Sequence, residues 1–166
     1  MNLSDHFTLS ELTRSDTAAR YAIRNVPDAA GIDKLRNLCQ RVLEPVRAHY
    51  GRAVVVNSGY RSPALNAKIP GSSNTSQHTL CEAVDFEVPG IANGTVAAWV
   101  RDNLDFDQLI LEAYTPGDPS SGWVHVSWRA AGRRGRKGQG GVLTMQRRRD
   151  AAGKLRTVYL PGLVQA

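Results

Sequence analysis

Ser76-Gln77-His78-Thr79-Leu80-Cys81-Glu82-Ala83-Val84-Asp85 and Trp123-Val124-His125-Val126-Ser127 are the stretches on which the reading of this chain turns. The first closes a segment, Ser58 to Thr79, rich in Ser, Gly, Asn and Pro, and runs into an apolar strand expected from Ala83 to Val88. Loops of that length inside a compact domain are usually functional or disordered. The second stretch alternates: Val124 and Val126 share one face of a strand, while Trp123, His125 and Ser127 share the other.

Working outward, Thr8-Leu9-Ser10-Glu11 has the spacing of a capping box and predicts a short helix near the N-terminus. Ile32, Leu35, Leu38, Cys39, Val42, Leu43 and Val46 recur at helical spacing, which predicts an amphipathic helix from about Gly31 to Tyr50, with Pro45 kinking it or marking its last turn. Ala53 to Asn57 reads as a buried strand, Thr95 to Leu104 as a helix, and Gln108 to Glu112 as a further strand. Val142 to Gln146 and Leu155 to Leu160 form an expected hairpin around Asp150-Ala151-Ala152-Gly153. Helices first and then mainly antiparallel strands describe an α+β fold, with helices packed on the sheet. The 166 residues are read as a single domain with a basic C-terminal extension from about Arg129.

Composition narrows the field less than the motifs do. Hydrophobic residues at 42% and charged residues at 22% are those of an ordinary globular protein, and no apolar run is long enough to span a bilayer. Cys39 and Cys81 are too few for a disulfide framework and lack metal-type spacing; Cys39 belongs to a helix's apolar face. The net charge of +6 is concentrated late: ten Lys or Arg residues fall between Arg129 and Arg156, with Asp150 the one acid among them. Such a segment suits an anionic partner, whether nucleic acid, lipid or wall polymer, and charge does not choose between them.

Four histidines occur. His6 precedes the first helix cap and His49 ends a helix, and both read as structural or solvated. His78 and Asp85, in the spacing His-(x)6-Asp, are joined by a turn from loop to strand that brings both side chains towards one point. With His125 they make two imidazoles and one carboxylate, a donor set that suits catalytic zinc and leaves a fourth position open for water. On chemistry alone this remains a weak signal, with core or solvated histidines the alternative.

The flanking residues sharpen it. Ser58-Gly59-Tyr60-Arg61-Ser62, the Ser76 to Asp85 stretch and the Trp-x-His strand at Trp123 to His125 together resemble the blocks of the LAS zinc metallopeptidases. That group is named for lysostaphin, the D-Ala-D-Ala metallopeptidases and the hedgehog fold. The resemblance is to its D-alanyl-D-alanine carboxypeptidase and L-alanyl-D-glutamate endopeptidase branch, and runs from about Phe7 to Trp128. It implies zinc held by His78, Asp85 and His125, Arg61 as the group that meets the oxyanion, and Ser76 and Tyr60 as substrate contacts. It implies a monomeric enzyme acting on peptidoglycan stem peptides. Met1 to His6 lack the pattern of a secretory signal. The expectation is therefore a phage endolysin held in the host cytoplasm until lysis and acting in the periplasm or wall, with the basic segment drawing it to an anionic envelope polymer.

Three positions depart from the family pattern. Gly122 stands where many relatives carry a catalytic glutamate, Trp123 where other branches place a histidine, and Cys81 where glycine is usual, a costly exchange if that site needs positive φ. A proton acceptor is still needed. Glu112, ending its strand beside the loop that leads to His125, is the candidate; Glu82 is the weaker one, since alternation puts it on the face opposite Asp85. Two other readings stand beside the enzyme: a non-catalytic zinc-containing wall-binding module, which the departures at Gly122 and Trp123 would permit, and a nucleic-acid-binding protein working through its basic tail.

Overall fold

The computed structural model describes residues 1–130 and 141–164. Arg133, Arg134, Arg136 and Lys137, central to the expected basic tail, lie outside the described residues. Among the described residues, six strands form one sheet in the order β1-β2-β4-β3-β5-β6, where β1 is Val55–Ser58, β2 Ala83–Glu87, β3 Gln108–Glu112, β4 Trp123–Ser127, β5 Gly141–Arg149 and β6 Leu155–Pro161. Every neighbouring pair is antiparallel except β3 with β5, which run parallel. The architecture is α+β, as expected.

The helices begin with α1 (Leu9–Thr13), whose capping box is formed: Thr8 accepts from the Glu11 N–H while the Glu11 carboxylate accepts from the Thr8 N–H. After α2 (Asp16–Arg20), α3 (Ala29–Leu38) starts at Asp28, which caps the Gly31 N–H at 2.7 Å. It continues through a π-helical turn, Cys39–Leu43, into α4 (Glu44–Tyr50). The expected long helix is therefore present with a register change inside it. Pro45 supplies the reason. It has no N–H and its ring crowds the preceding turn, so the helix widens just ahead of it and the Glu44 N–H reaches back five residues to the Cys39 carbonyl.

Strand alternation divides the sheet cleanly. Val84, Phe86, Leu109, Leu111, Val124 and Val126 project from one face. They are buried in a single cluster with Leu35, Leu38, Val42, Leu43 and Val46 of the long helix and Val96 and Val100 of α6 (Asn93–Asn103). Asp85, Ile110 and His125 fall on the other face by their shared register. The helical layer thus covers one side and leaves the polar side for the site.

The segment read as a peripheral extension supplies two strands to this sheet. Leu109↔Val142 and Leu111↔Thr144 pair along β3 and β5, and Thr144, Met145 and Gln146 are buried. The Ser58 to Thr79 loop is also more ordered than its composition suggests: it contains α5 (Pro63–Asn66), capped by Ser62, and a 3-10 turn at Gln77–Leu80. Cys81 follows that turn at φ +59°, the left-handed conformation for which glycine is the natural residue. Its thiol is buried against Gly31, and burial pushes it up to about 11, so it stays protonated at neutral pH. Cys39, fully buried, is pushed up to about 12 for the same reason.

Candidate metal centre and active site

His78 arrives on the 3-10 turn, Asp85 from the middle of β2, and His125 from β4, directly across from Asp85 in the antiparallel register. All three are buried, and their ligand atoms lie within 4.8 Å of one another. Asp85 Oδ1 stands 2.7 Å from His125 Nδ1 and 3.3 Å from His78 Nε2.

The His78 ring shows what the cluster is built for. Its Nδ1 lies 2.7 Å from the Gly59 carbonyl, which only accepts, so Nδ1 carries the hydrogen and Nε2 is left with its lone pair. Burial lowers the pKa of His78 against the pull of Asp85, which favours this neutral form. Nε2 is buried and has no hydrogen-bond partner, and it faces a carboxylate oxygen, acceptor against acceptor. A cation shared between them resolves that conflict. Two nitrogen donors and one carboxylate, with one imidazole oriented by a backbone carbonyl, fit zinc.

The protonation states are set by the same packing. Burial alone would raise the Asp85 carboxyl, but His78 and His125 outweigh it and hold the group well below the usual carboxylate range. For His125, burial works towards the neutral form, while the Asp85 hydrogen bond and the charges of Asp85 and Glu112 prevail and raise it. A metal held here would take the place of a proton on His125.

Around the cluster lies an open cleft of about 600 Å³. Ser76 and Arg61 line one side; the Arg61 guanidinium is largely buried, with Nη2 3.7 Å from Asp85 Oδ2. Glu112 lines the other, its Oε1 4.0 Å from His125 Nδ1. Burial raises the Glu112 pKa first, then the charge of Asp85, with His125 and Arg61 pulling against them. Glu82, expected on the face opposite Asp85, is elsewhere: it is bound to Lys34 of α3 at 2.7 Å and does not line the cleft. Tyr60, expected to touch substrate, is not among the cleft residues. Its ring packs against the core, close to Cys81 and Asp28, because the chain turns Arg61 rather than Tyr60 towards the sheet.

Gly122 has a physical explanation. It adopts φ +70°, and a Cβ there would collide with the backbone carbonyl of Glu112 on the adjacent strand. No side chain fits at this position.

Two features of the site were not read from the sequence. Asn25 is a buried strut: its amide donates to the Thr13 and Tyr60 carbonyls, and its oxygen accepts from the Ser62 N–H. Together with the Tyr60 N–H bond to the Leu12 carbonyl, it fixes the turn that carries Arg61. A lone Asn between two helices carries no signal for that role. The other is the far wall of the cleft, made by Met145 and Arg147 of β5 and Thr157 and Tyr159 of β6.

An α+β sheet that presents two histidines and an aspartate in a cleft, with a second carboxylate and an arginine beside them, defines a metal-dependent hydrolase type of centre. The family model for Peptidase M15 matches residues 5–127, and the chain belongs to that family, whose members are zinc-dependent metallopeptidases. No curated protein gives a match. The family match ends at β4, before the β5–β6 hairpin begins.

Elemental analysis of the purified protein should give close to one zinc per chain, and the double substitution His78→Ala with His125→Ala should reduce it to background. Full zinc in that double variant would eliminate this cluster as the site. Gly122→Ala should cost about 2 kcal/mol or more, from positive φ and the collision together. In thermal unfolding that is a fall in Tm of roughly 5 °C. An unchanged Tm would show that the Glu112 carbonyl moves aside freely.

Proposed function

We propose that the chain hydrolyses a peptide bond in the stem peptides of bacterial peptidoglycan, and that it does so as a phage lysis enzyme reaching the wall of its host. The observation that carries the peptidase reading is the convergence of Arg61 and Glu112, from opposite sides of one cleft, on the His78–Asp85–His125 cluster. The net charge of +6 supports a place at an anionic envelope.

Zinc at the cluster supplies a Lewis acid and makes water a usable nucleophile at neutral pH. The chain's own residues do the rest. Glu112 Oε1 takes a proton from the attacking water and passes it to the departing amine; its partly buried carboxyl, with a pKa above the ordinary range, is suited to both transfers. Arg61 offers a fixed fork of donors where negative charge develops on the scissile carbonyl oxygen. Asp85 holds that fork in place from one side, and the Asn25 strut holds its backbone from the other. Ser76, which also lines the cleft, is the proposed contact to the peptide. The non-catalytic alternative drew its force from the departures at Gly122 and Trp123, and a carboxylate at Glu112, 4.0 Å from His125, supports the catalytic reading over it.

Purified murein digested with the zinc-loaded protein and read by mass spectrometry identifies the bond, whether terminal D-Ala, the L-Ala–D-Glu link or a bridge. Release of no fragment would sink the reading. Glu112→Gln keeps shape and hydrogen bonding but not basicity, and should lower turnover by at least about a hundredfold while zinc stays bound. Activity within tenfold of the parent would move the proton transfer to another group. Arg61→Lys keeps the charge but loses the fork, so kcat should fall by about tenfold or more with a smaller change in KM. Equal kcat values would remove Arg61 from the chemistry.

A further inference from the structure

Parallel pairing of β3 with β5 aligns Ile110 with Leu143, so alternate residues after Leu143 share the face that carries Asp85 and His125. Those residues are Met145 and Arg147. In the antiparallel β5–β6 hairpin they stand opposite Tyr159 and Thr157, and all four line the cleft. The register alone therefore carries a stretch of the basic segment into the active-site wall.

The basic residues of this hairpin are not equivalent. Arg148, on the other face, donates to the Gln146 side chain at 2.8 Å. Arg149 donates to the Gly153 carbonyl at 2.8 Å, and Arg156 pairs with Asp150 at 3.0 Å. Arg147 has neither a hydrogen bond nor an ion pair with any described residue. The other cleft arginine, Arg61, already faces Asp85. Arg147, an exposed side chain, is thus the cleft cation without a protein partner among the described residues; Thr157 pairs with it across the hairpin, and Tyr159, opposite Met145, is the next hydroxyl-bearing residue on the same face.

We infer that Arg147, with Thr157 and Tyr159, forms a subsite for a free carboxylate on the peptide substrate, and so selects acidic stem peptides over their amidated forms. A planar guanidinium flanked by hydroxyls recognises a carboxylate by paired charge-assisted bonds, and an amide of the same shape forfeits them. Four residues along β5 separate Arg147 from Leu143, whose partner Ile110 pairs with His125. With about 13 Å along the strand and about 10 Å across the two strand spacings from β4 to β5, Arg147 lies roughly 16 Å from His125, a span that an extended peptide covers in about five residues. The recognised carboxylate therefore lies within a few residues of the scissile bond. Stem peptides meet that requirement, since their γ-linked glutamate and terminal residue each carry a free carboxylate. The inference rests on the peptidoglycan reading above, and places the specificity element in the part of the chain beyond the family match.

The test uses two synthetic stem peptides identical except that the carboxylate nearest the cleaved bond is free in one and a primary amide in the other. With the zinc-loaded full chain, kcat/KM should favour the acid by about tenfold, mostly through KM. Arg147→Gln should bring the two peptides within twofold of each other, and Arg147→Glu should favour the amide. Arg148→Gln removes the same charge from the opposite face and should keep the parent's preference, which separates local recognition from general attraction. Each ratio is taken within one protein, so a change in folded fraction cancels. A parent without preference, or an Arg147→Gln protein that retains it, would overturn the subsite. If the parent cuts neither peptide, the peptidase reading fails. The subsite is then decided by calorimetric binding: it stands if the parent binds the acid more tightly and Arg147→Gln abolishes the difference, and falls if the parent binds both alike.

Discussion

The Asp85 carboxylate is ionised and all but sealed from water, with 6% of the residue's surface exposed, and much of the molecule is arranged around that fact. An isolated charge at such a depth costs several kcal/mol, so every element that reaches it must bring compensation. The β2–β4 register brings His125, the 3-10 turn brings His78, and the turn after β1 brings Arg61. Each of these is braced in turn. His78 is held by the Gly59 carbonyl, and the Arg61 turn by Asn25 and the Leu12 carbonyl. The short N-terminal helices thus act on the site without touching it. A metal would complete an arrangement that already places two nitrogens and an oxygen around one point.

The same economy of space explains where the second carboxylate comes from. A glutamate three residues before His125 would need a side chain at position 122, but the Glu112 backbone of β3 occupies that volume. Glu112 pairs with Trp123 and sends its own carboxylate to within 4.0 Å of His125 Nδ1 from the neighbouring strand. A side chain at position 122 and the close approach of β3 are mutually exclusive. The glycine that reads as a loss in one strand is the condition for supplying a carboxylate from the next.

Much of this was legible in the sequence because periodicity and ligand spacing are local signals. The Thr8 cap, the helix through Leu35 and Val46, the alternation at Val124 and Val126 and the two-histidine, one-aspartate group all formed where their residues pointed. What was not legible rests on information that is not local. Tyr60 sits next to Arg61 in the chain, yet its ring packs against the core while Arg61 lines the cleft. The π turn required knowing that the helix continues through Pro45 instead of ending there. The length of β5 and its parallel pairing with β3 depend on a crossover between strands far apart in sequence, for which alternation gives no partner.

That last miss changes how the basic segment is understood. Read as a string, Arg147, Arg148 and Arg149 are three equivalent charges in a run that suits long-range attraction. On a strand they cannot be equivalent, because the period of two sends Arg147 to the cleft and Arg148 away from it. Attraction to an anionic envelope depends on the total charge and is screened within about 8–10 Å at physiological ionic strength. Recognition of one carboxylate depends instead on which face a single guanidinium occupies and on the geometry of the paired bonds it offers. On the proposals above, a sheet edge that carries both kinds of charge would serve approach through its total charge and selection through the one arginine that faces the cleft. Substitutions in the segment should therefore be sorted by strand face before they are sorted by charge.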